Sequence, residues 1–203
     1  MMEPVSIIKG SAYPIRRSNI DTDQILPAKW MKRVERTGYE NGLFEIWRQD
    51  PSFIINDPER SQASIIVAGE NFGSGSSRQH AVWALRDFGI RAVISTSIAD
   101  MHRANLRQDG RVPVELAQDV VELILAATGT NPRAEIEISV TDRTVTCEEA
   151  GVFAKPFRID NVSHFNLIHG YDPIDVTLAL EKPIETHESS RDPWLPRCSP
   201  EFV

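Results

Sequence analysis

At 203 residues, with 41% hydrophobic and 25% charged side chains, the chain can bury a real core; that excludes global disorder and leaves no room for two large domains. Its 22 Lys and Arg against 29 Asp and Glu give a net charge of −7, so no broad attraction to a phosphate backbone is expected. Cys147 and Cys198 are the only cysteines, too few for a disulfide framework or for an iron–sulfur cluster held by this chain alone. No apolar run approaches the roughly 18 residues of a membrane span, and residues 1–10 lack a basic region followed by an apolar one, so a cytoplasmic protein is expected.

In chain order, a short strand is expected near residues 6–12, then a polar turn and a helix around 28–36. Residues 64–69 form a compact apolar run suited to a strand buried on both faces. A helix over 77–88 follows, with Ala81, Val82, Ala84, Leu85 and Phe88 at helical spacing and Gly89 as its stop. A strand at 91–96, a helix at 98–108 and a strand at 112–116 complete an alternation that predicts an α/β fold with a parallel sheet and flanking helices. The compact apolar stretch 117–128 predicts another helix, ended by Gly129 and Pro132. Residues 134–139 then alternate strictly and pair with 143–148 across a turn at Thr141-Asp142, a hairpin with one wet face and the start of a subsidiary β layer. Residues 153–159 add a strand. Short helices are expected at 161–169, capped by Asn161, and at 172–180, capped by Asp172 with Pro173 at its first position. Residues 1–182 thus read as one domain. Residues 183–203, with Pro183, Pro193, Pro196 and Pro200 among charges, read as a tail that is loose or lies along a partner.

Two segments carry chemistry. Asn71-Phe-Gly-Ser-Gly-Ser-Ser-Arg78 joins a parallel strand to a helix, which aims backbone N–H groups and the helix dipole at the carboxyl end of the sheet and makes an anion site. Gly73 and Gly75 permit the turn and a close ligand approach, Ser76 and Ser77 offer hydroxyls, and Arg78 a planar fork for a carboxylate or phosphate. A Walker loop needs Gly-Lys-Ser/Thr and the dinucleotide fingerprint a third glycine at Arg78; neither is present. Ser76 with Gln79 also fits a capping box, a purely structural use of the same residues, and His80 taken alone reads as structural. The second segment is Arg16-Arg-Ser-Asn-Ile-Asp-Thr-Asp-Gln-Ile25; surface-turn chemistry accounts for its Asp21 and Asp23 as well as function does.

Together, Asn19-Ile-Asp-Thr-Asp-Gln-Ile-Leu-Pro27 and Gly73-Ser-Gly-Ser-Ser-Arg-Gln-His-Ala81 resemble the small subunit of 3-isopropylmalate dehydratase, a family related to the swivelling fourth domain of aconitase. The likeness runs through Arg36-Thr-Gly-Tyr-Glu-Asn-Gly-Leu-Phe44 and Ala81-Val-Trp-Ala-Leu85 to Gly110. It implies a swivelling β/β/α domain that works only beside a large subunit carrying a [4Fe-4S] cluster, with no metal on this chain and neither nucleic acid nor membrane as partner. The implied reaction interconverts 2-isopropylmalate and 3-isopropylmalate through isopropylmaleate, in leucine biosynthesis.

The resemblance also implies roles. Ser76 matches the aconitase base, Ser77 would donate a hydrogen bond to the substrate beside Gly75, and Arg78 would clamp a carboxylate. Asp23 matches an acidic residue expected to orient other active-site groups. In Trp30-Met-Lys-Arg-Val34, Val34 stands where aconitase has the arginine that binds the extra carboxylate of citrate, which favours an isopropyl group; Arg33 beside it keeps a cation within one residue of that place. Gln79 replaces the usual Glu, and Met101-His-Arg-Ala-Asn-Leu106 is closer to single-chain aconitases than to bacterial small subunits. Small subunits of related hydro-lyases acting on homoaconitate, citraconate or dimethylmalate share these features. A non-catalytic module that holds an anionic effector in the Gly-Ser loop is the reading from another class.

Overall fold

The computed structural model describes residues 3–76, 78–192 and 194–195. Four parallel strands, β2 (Ala12–Ile15), β3 (Ile65–Ala68), β4 (Ala92–Ser95) and β5 (Val112–Glu115), lie side by side in chain order. A second, antiparallel sheet has the order β1-β6-β7-β8, from β1 (Ile7–Gly10), β6 (Ile136–Ser139), β7 (Thr144–Cys147) and β8 (Val152–Pro156). The α/β class and its subsidiary β layer are as the sequence predicts.

Alternation along the strands divides the core in two. Ile65 and Val67 of β3, with Ala92 and Ile94 of β4, face the helix Gln118–Thr130 and the antiparallel sheet, where Val121, Ile124, Ile136, Ile138 and Val145 meet them. Ile66, Ala68 and Val93 point the other way, onto the helices Gln79–Asp87 and Asp100–Gln108 and the long segment from 16 to 64. A parallel sheet covered on both faces explains why its strands read as unbroken apolar runs. Pro14 and Pro113 lie in β2 and β5, the two edge strands, where an absent N–H leaves no ladder bond unmade.

Several elements differ from expectation. The strand expected over 6–12 divides at Ser11 into β1 and β2, which belong to different sheets. At the crossing a side chain on Gly10 would put Cβ 2.5 Å from Ser64 Oγ, so only glycine lets the strands pass. The helix expected around 28–36 is a 3-10 turn, Ala28–Lys32. Trp30 Nε1 donates to Glu45 at 2.7 Å and Arg33 Nη1 to Gly38 O at 2.6 Å, tertiary bonds that draw the chain out of the helical path.

Naming helices in order, α1 is Thr22–Ile25, α2 Gln79–Asp87, α3 Asp100–Gln108, α4 Gln118–Thr130, α5 Asn161–His169, α6 Pro173–Leu178 and α7 Glu181–Ser190. Asp160, not Asn161, caps α5: its carboxylate accepts from Ser163 N at 2.9 Å. α4 runs through Gly129 and stops before Pro132. Pro183 sits in the first turn of α7, where a missing N–H costs no helical bond, so the expected boundary at 183 falls inside a solvent-exposed helix. Pro193, Pro196, Cys198 and Pro200 lie outside the described residues.

Candidate active site

The two motifs meet because β2 and β3 are neighbours and their pairing continues past the strand ends. Gly69 N donates to Arg17 O at 2.9 Å, Asn19 N to Glu70 O at 2.9 Å, Gly73 N to Ile20 O at 2.7 Å and Thr22 N to Ser74 O at 3.0 Å. These bonds zip residues 17–22 onto residues 69–74 at the carboxyl edge of the sheet. Asn19 and Asn71 both hold left-handed backbone, at φ 55° and 56°, and Asn71 Nδ2 donates to Asn19 Oδ1 at 2.8 Å. Asparagine tolerates that conformation better than other side-chain-bearing residues.

From there the loop is fixed at both ends. Gly73 and Gly75 turn it with φ of +74° and +87°. Thr22, buried at 1% exposure, donates from Oγ1 to Ser76 O at 3.0 Å. Arg78 N also donates to Ser76 O, at 2.9 Å, and Arg78 stands as the residue before α2. The Ser76 backbone is thus held while its side chain stays in solvent.

The capping box expected between Ser76 and Gln79 does not form. Arg78 occupies the N-cap position and makes no side-chain cap, because the loop bonds place Ser76 two residues too early. Among the described residues no hydrogen bond uses Ser76 Oγ. A capping box does form at the other motif: Gln24 N donates to Asp21 Oδ1 at 2.7 Å and Asp21 N to Gln24 Oε1 at 3.1 Å. Asp21 is thereby committed to α1. Asp23, half-exposed on the same turn, forms an ion pair with Arg78 Nη1.

The structure therefore brings Asp23, Gly75, Ser76 and Arg78 together; Ser77 lies outside the described residues. Arg33 and Val34 stand apart on the 28–38 loop. The Arg33 guanidinium lies 5.4 Å over the Tyr39 ring and 5.8 Å over Trp30, while Val34 is 93% exposed. This loop meets α2 through a ring cluster in which His80 is 5.7 Å from Tyr39 and 4.8 Å from Trp83.

His102 on α3, which the sequence shows only as part of Met101-His-Arg-Ala-Asn-Leu106, takes a place that the sequence did not assign. It is 1% exposed, neither ring nitrogen has a hydrogen-bond partner among the described residues, and its ring lies under the loop, 5.5 Å from Phe72. A Cβ on Gly73 would sit 2.2 Å from His102 Cγ, so the glycine and the imidazole fit only each other. Two prior signals pointed here without placing the ring: the likeness of Met101-His-Arg-Ala-Asn-Leu106 to single-chain aconitases, and Gly73, since a tight glycine implies a neighbour without naming it.

Burial pushes the His102 pKa down from 6.5 to about 4. A folded-state pKa below the unfolded one means that the unfolded chain binds the extra proton between these values. The stability held above pH 6.5 is therefore lost as pH falls toward 4, at about 1.4 kcal/mol per pH unit. Denaturant midpoints should show about 2 kcal/mol lost from this group between pH 6.5 and pH 5, and the slope should flatten in His102→Leu. An equally steep loss in that variant would refute the account.

Among the described residues nothing fits an iron–sulfur cluster. Cys147 is buried in β7, inside the core, where burial raises its thiol pKa and disfavours the thiolate. Among the described residues no group of three or more His, Cys, Asp or Glu is placed to hold a metal ion. No helix among them is long and apolar enough to cross a membrane.

A parallel sheet buried between helices and a second β layer, with a serine loop on the sheet's carboxyl edge, define a domain of the aconitase type; the family model described as the aconitase C-terminal domain matches residues 2–119. The chain is 48% identical to a 3-isopropylmalate dehydratase small subunit of Parafrankia sp. (strain EAN1pec) over 195 residues, covering 96% of this chain and 98% of the relative. It is 46% identical to one from Mycobacterium sp. (strain JLS), covering 98% and 100%. The chain belongs to the 3-isopropylmalate dehydratase small-subunit family. The solved 3-isopropylmalate dehydratase structure of Methanocaldococcus jannaschii shares the fold, with a TM-score of 0.61 at 24% identity over 90% of this chain and 99% of that one.

Proposed function

We propose that this chain is the small subunit of a cytoplasmic isopropylmalate isomerase of leucine biosynthesis, interconverting 2-isopropylmalate and 3-isopropylmalate by dehydration and rehydration through isopropylmaleate. The observation that carries the reading is the Ser76 hydroxyl, open to solvent and without a hydrogen bond among the described residues, on a loop whose backbone is fixed by Thr22 and Arg78. A base must be free to take a proton, and a fixed backbone defines where it stands.

An ordinary serine is far too weak for this. Its alkoxide is favoured here by the N-terminus of α2, by nearby N–H groups and by the Arg78 guanidinium. The Ser76 alkoxide takes the proton from the carbon next to a carboxylate, that electron pair forms the alkene, and the hydroxyl on the adjacent carbon leaves with the C–O bonding pair and a proton from solvent as water. Returning water to the other carbon gives the isomer. Arg78 has five N–H donors; Asp23 occupies one nitrogen and orients the fork, and the remaining donors take the substrate carboxylate. Gly75 lies on the same turn, with φ +87°. The [4Fe-4S] cluster expected on the large subunit supplies Lewis acidity toward the departing hydroxyl.

Substrate choice rests on Val34, with Arg33 turned toward Gly38 and away as a competing cation. Closure of the large subunit then presents an apolar side chain to the isopropyl group. With the large subunit present, isopropylmalate should be turned over and citrate, homoaconitate, citraconate and dimethylmalate poorly. Val34→Arg should lower kcat/KM for isopropylmalate by about tenfold or more. Preference for another substrate in the panel would reassign the chain to that hydro-lyase.

A further inference from the structure

A cleft of about 600 Å³ opens beside α3, lined by Arg103, Arg107, Arg143 and Arg158 together with Glu115 and Asp160. Two of these arginines are already balanced. Arg103 Nη1 donates to both Glu115 oxygens, at 2.9 and 2.8 Å, and Arg107 pairs with Asp160. The other two are not. Arg143 donates only to neutral oxygens, Asn161 Oδ1 at 2.9 Å and Ile159 O at 3.5 Å, and exposed Arg158 makes no hydrogen bond or ion pair among the described residues. Arg103 also pairs with Asp100, so four guanidiniums meet three carboxylates and leave an excess of one positive charge, on a chain whose net charge is −7.

The cleft adjoins the serine loop. Glu115 Oε1 also accepts from Ile98 N at 2.7 Å, and Ile98 pairs as a β-bridge with Phe72, the residue before Gly73. The cleft is thus tied through Glu115 and Ile98 to the strand end from which the serine loop departs.

We propose that the cleft receives an acidic segment of the large subunit, whose carboxylates pair with Arg143 and Arg158 as that subunit closes over the serine loop. This rests on the large-subunit partner assigned above. The lining has four arginines and no lysine, matching the enrichment of Arg and depletion of Lys at protein interfaces. Glu115 and Asp160 interrupt the positive surface, so carboxylates spaced along a peptide fit it better than an unbroken row of phosphates. The net charge of −7 also opposes approach of a polyanion.

The test uses the full chain carrying Arg143→Glu and Arg158→Glu, titrated with the purified holo large subunit at low and high salt. The dissociation constant should rise by about tenfold or more at low salt, and the gap from wild type should narrow as salt screens the pairs. Arg133→Glu, on the turn after α4, should change it by less than about twofold, and kcat of the saturated complex should stay near wild type. If the double variant melts lower, Arg158→Glu alone carries the test, since its side chain makes no hydrogen bond or ion pair among the described residues. Wild-type affinity and salt dependence in these variants would overturn the proposal. Failure of the wild-type chain itself to bind the large subunit would instead overturn the assigned function.

Discussion

Ser76→Ala should lower kcat of the assembled enzyme by about a thousandfold or more while leaving folding and assembly untouched. Both halves follow from one observation. The Ser76 hydroxyl bonds to nothing among the described residues, so its removal breaks no cap and buries no unpaired group, and the melting temperature should shift by no more than about 0.5 kcal/mol implies. Had Ser76 capped α2, the same change would cost about 1 kcal/mol of stability. Turnover, thermal melting and affinity for the large subunit, measured on one preparation, separate the two roles. Activity near wild type in Ser76→Ala would remove the base from the mechanism.

Gly73→Ala should be as damaging to activity by a different route. Alanine at φ +74° costs about 1–2 kcal/mol, and its methyl would overlap a fully buried imidazole, adding about 1–3 kcal/mol of overpacking. Expelling the loop is the cheaper response, and the loop carries Ser76. Gly75→Ala pays only the backbone part, because the nearest atom to its Cβ is Asp21 Cβ at 3.6 Å. The Gly73→Ala loss should therefore exceed that of Gly75→Ala, and Gly73→Ala with His102→Ala should recover stability relative to the sum of the single changes. Additive effects would mean that Gly73 and His102 do not press on one another.

Sequence pattern reaches far where burial is simple and stops where tertiary contacts choose between local options. β3, β4 and β5 were legible because a sheet covered on both faces needs uninterrupted apolar residues, and α2 because its buried positions follow the helical period. The split between β1 and β2 was not, since nothing at Gly10-Ser11 distinguishes a continuing strand from one that changes sheets; the contact with Ser64 decides it. Two capping patterns with the same spacing, Asp21 to Gln24 and Ser76 to Gln79, could not be ranked by inspection. The bonds between residues 17–22 and 69–74 settle it, forming the first and leaving the serine of the second free. That freedom is the feature the proposed chemistry needs. Arg78 was read from the loop as an anion clamp and the role of Asp23 from the resemblance to a known family; their ion pair arises from the same zipped edge. His102 stood in a segment noted for its likeness to single-chain aconitases, but its burial was not legible, because a histidine in a polar helix gives no sign that its ring lies under a loop.

The most direct test of the account is anaerobic reconstitution of this chain with the large subunit, following alkene absorbance from 3-isopropylmalate with either chain omitted in turn. The account predicts turnover only when both chains are present and loss of that turnover when Ser76→Ala replaces the wild type. Equal turnover by the large subunit alone, or with the serine variant, would contradict it.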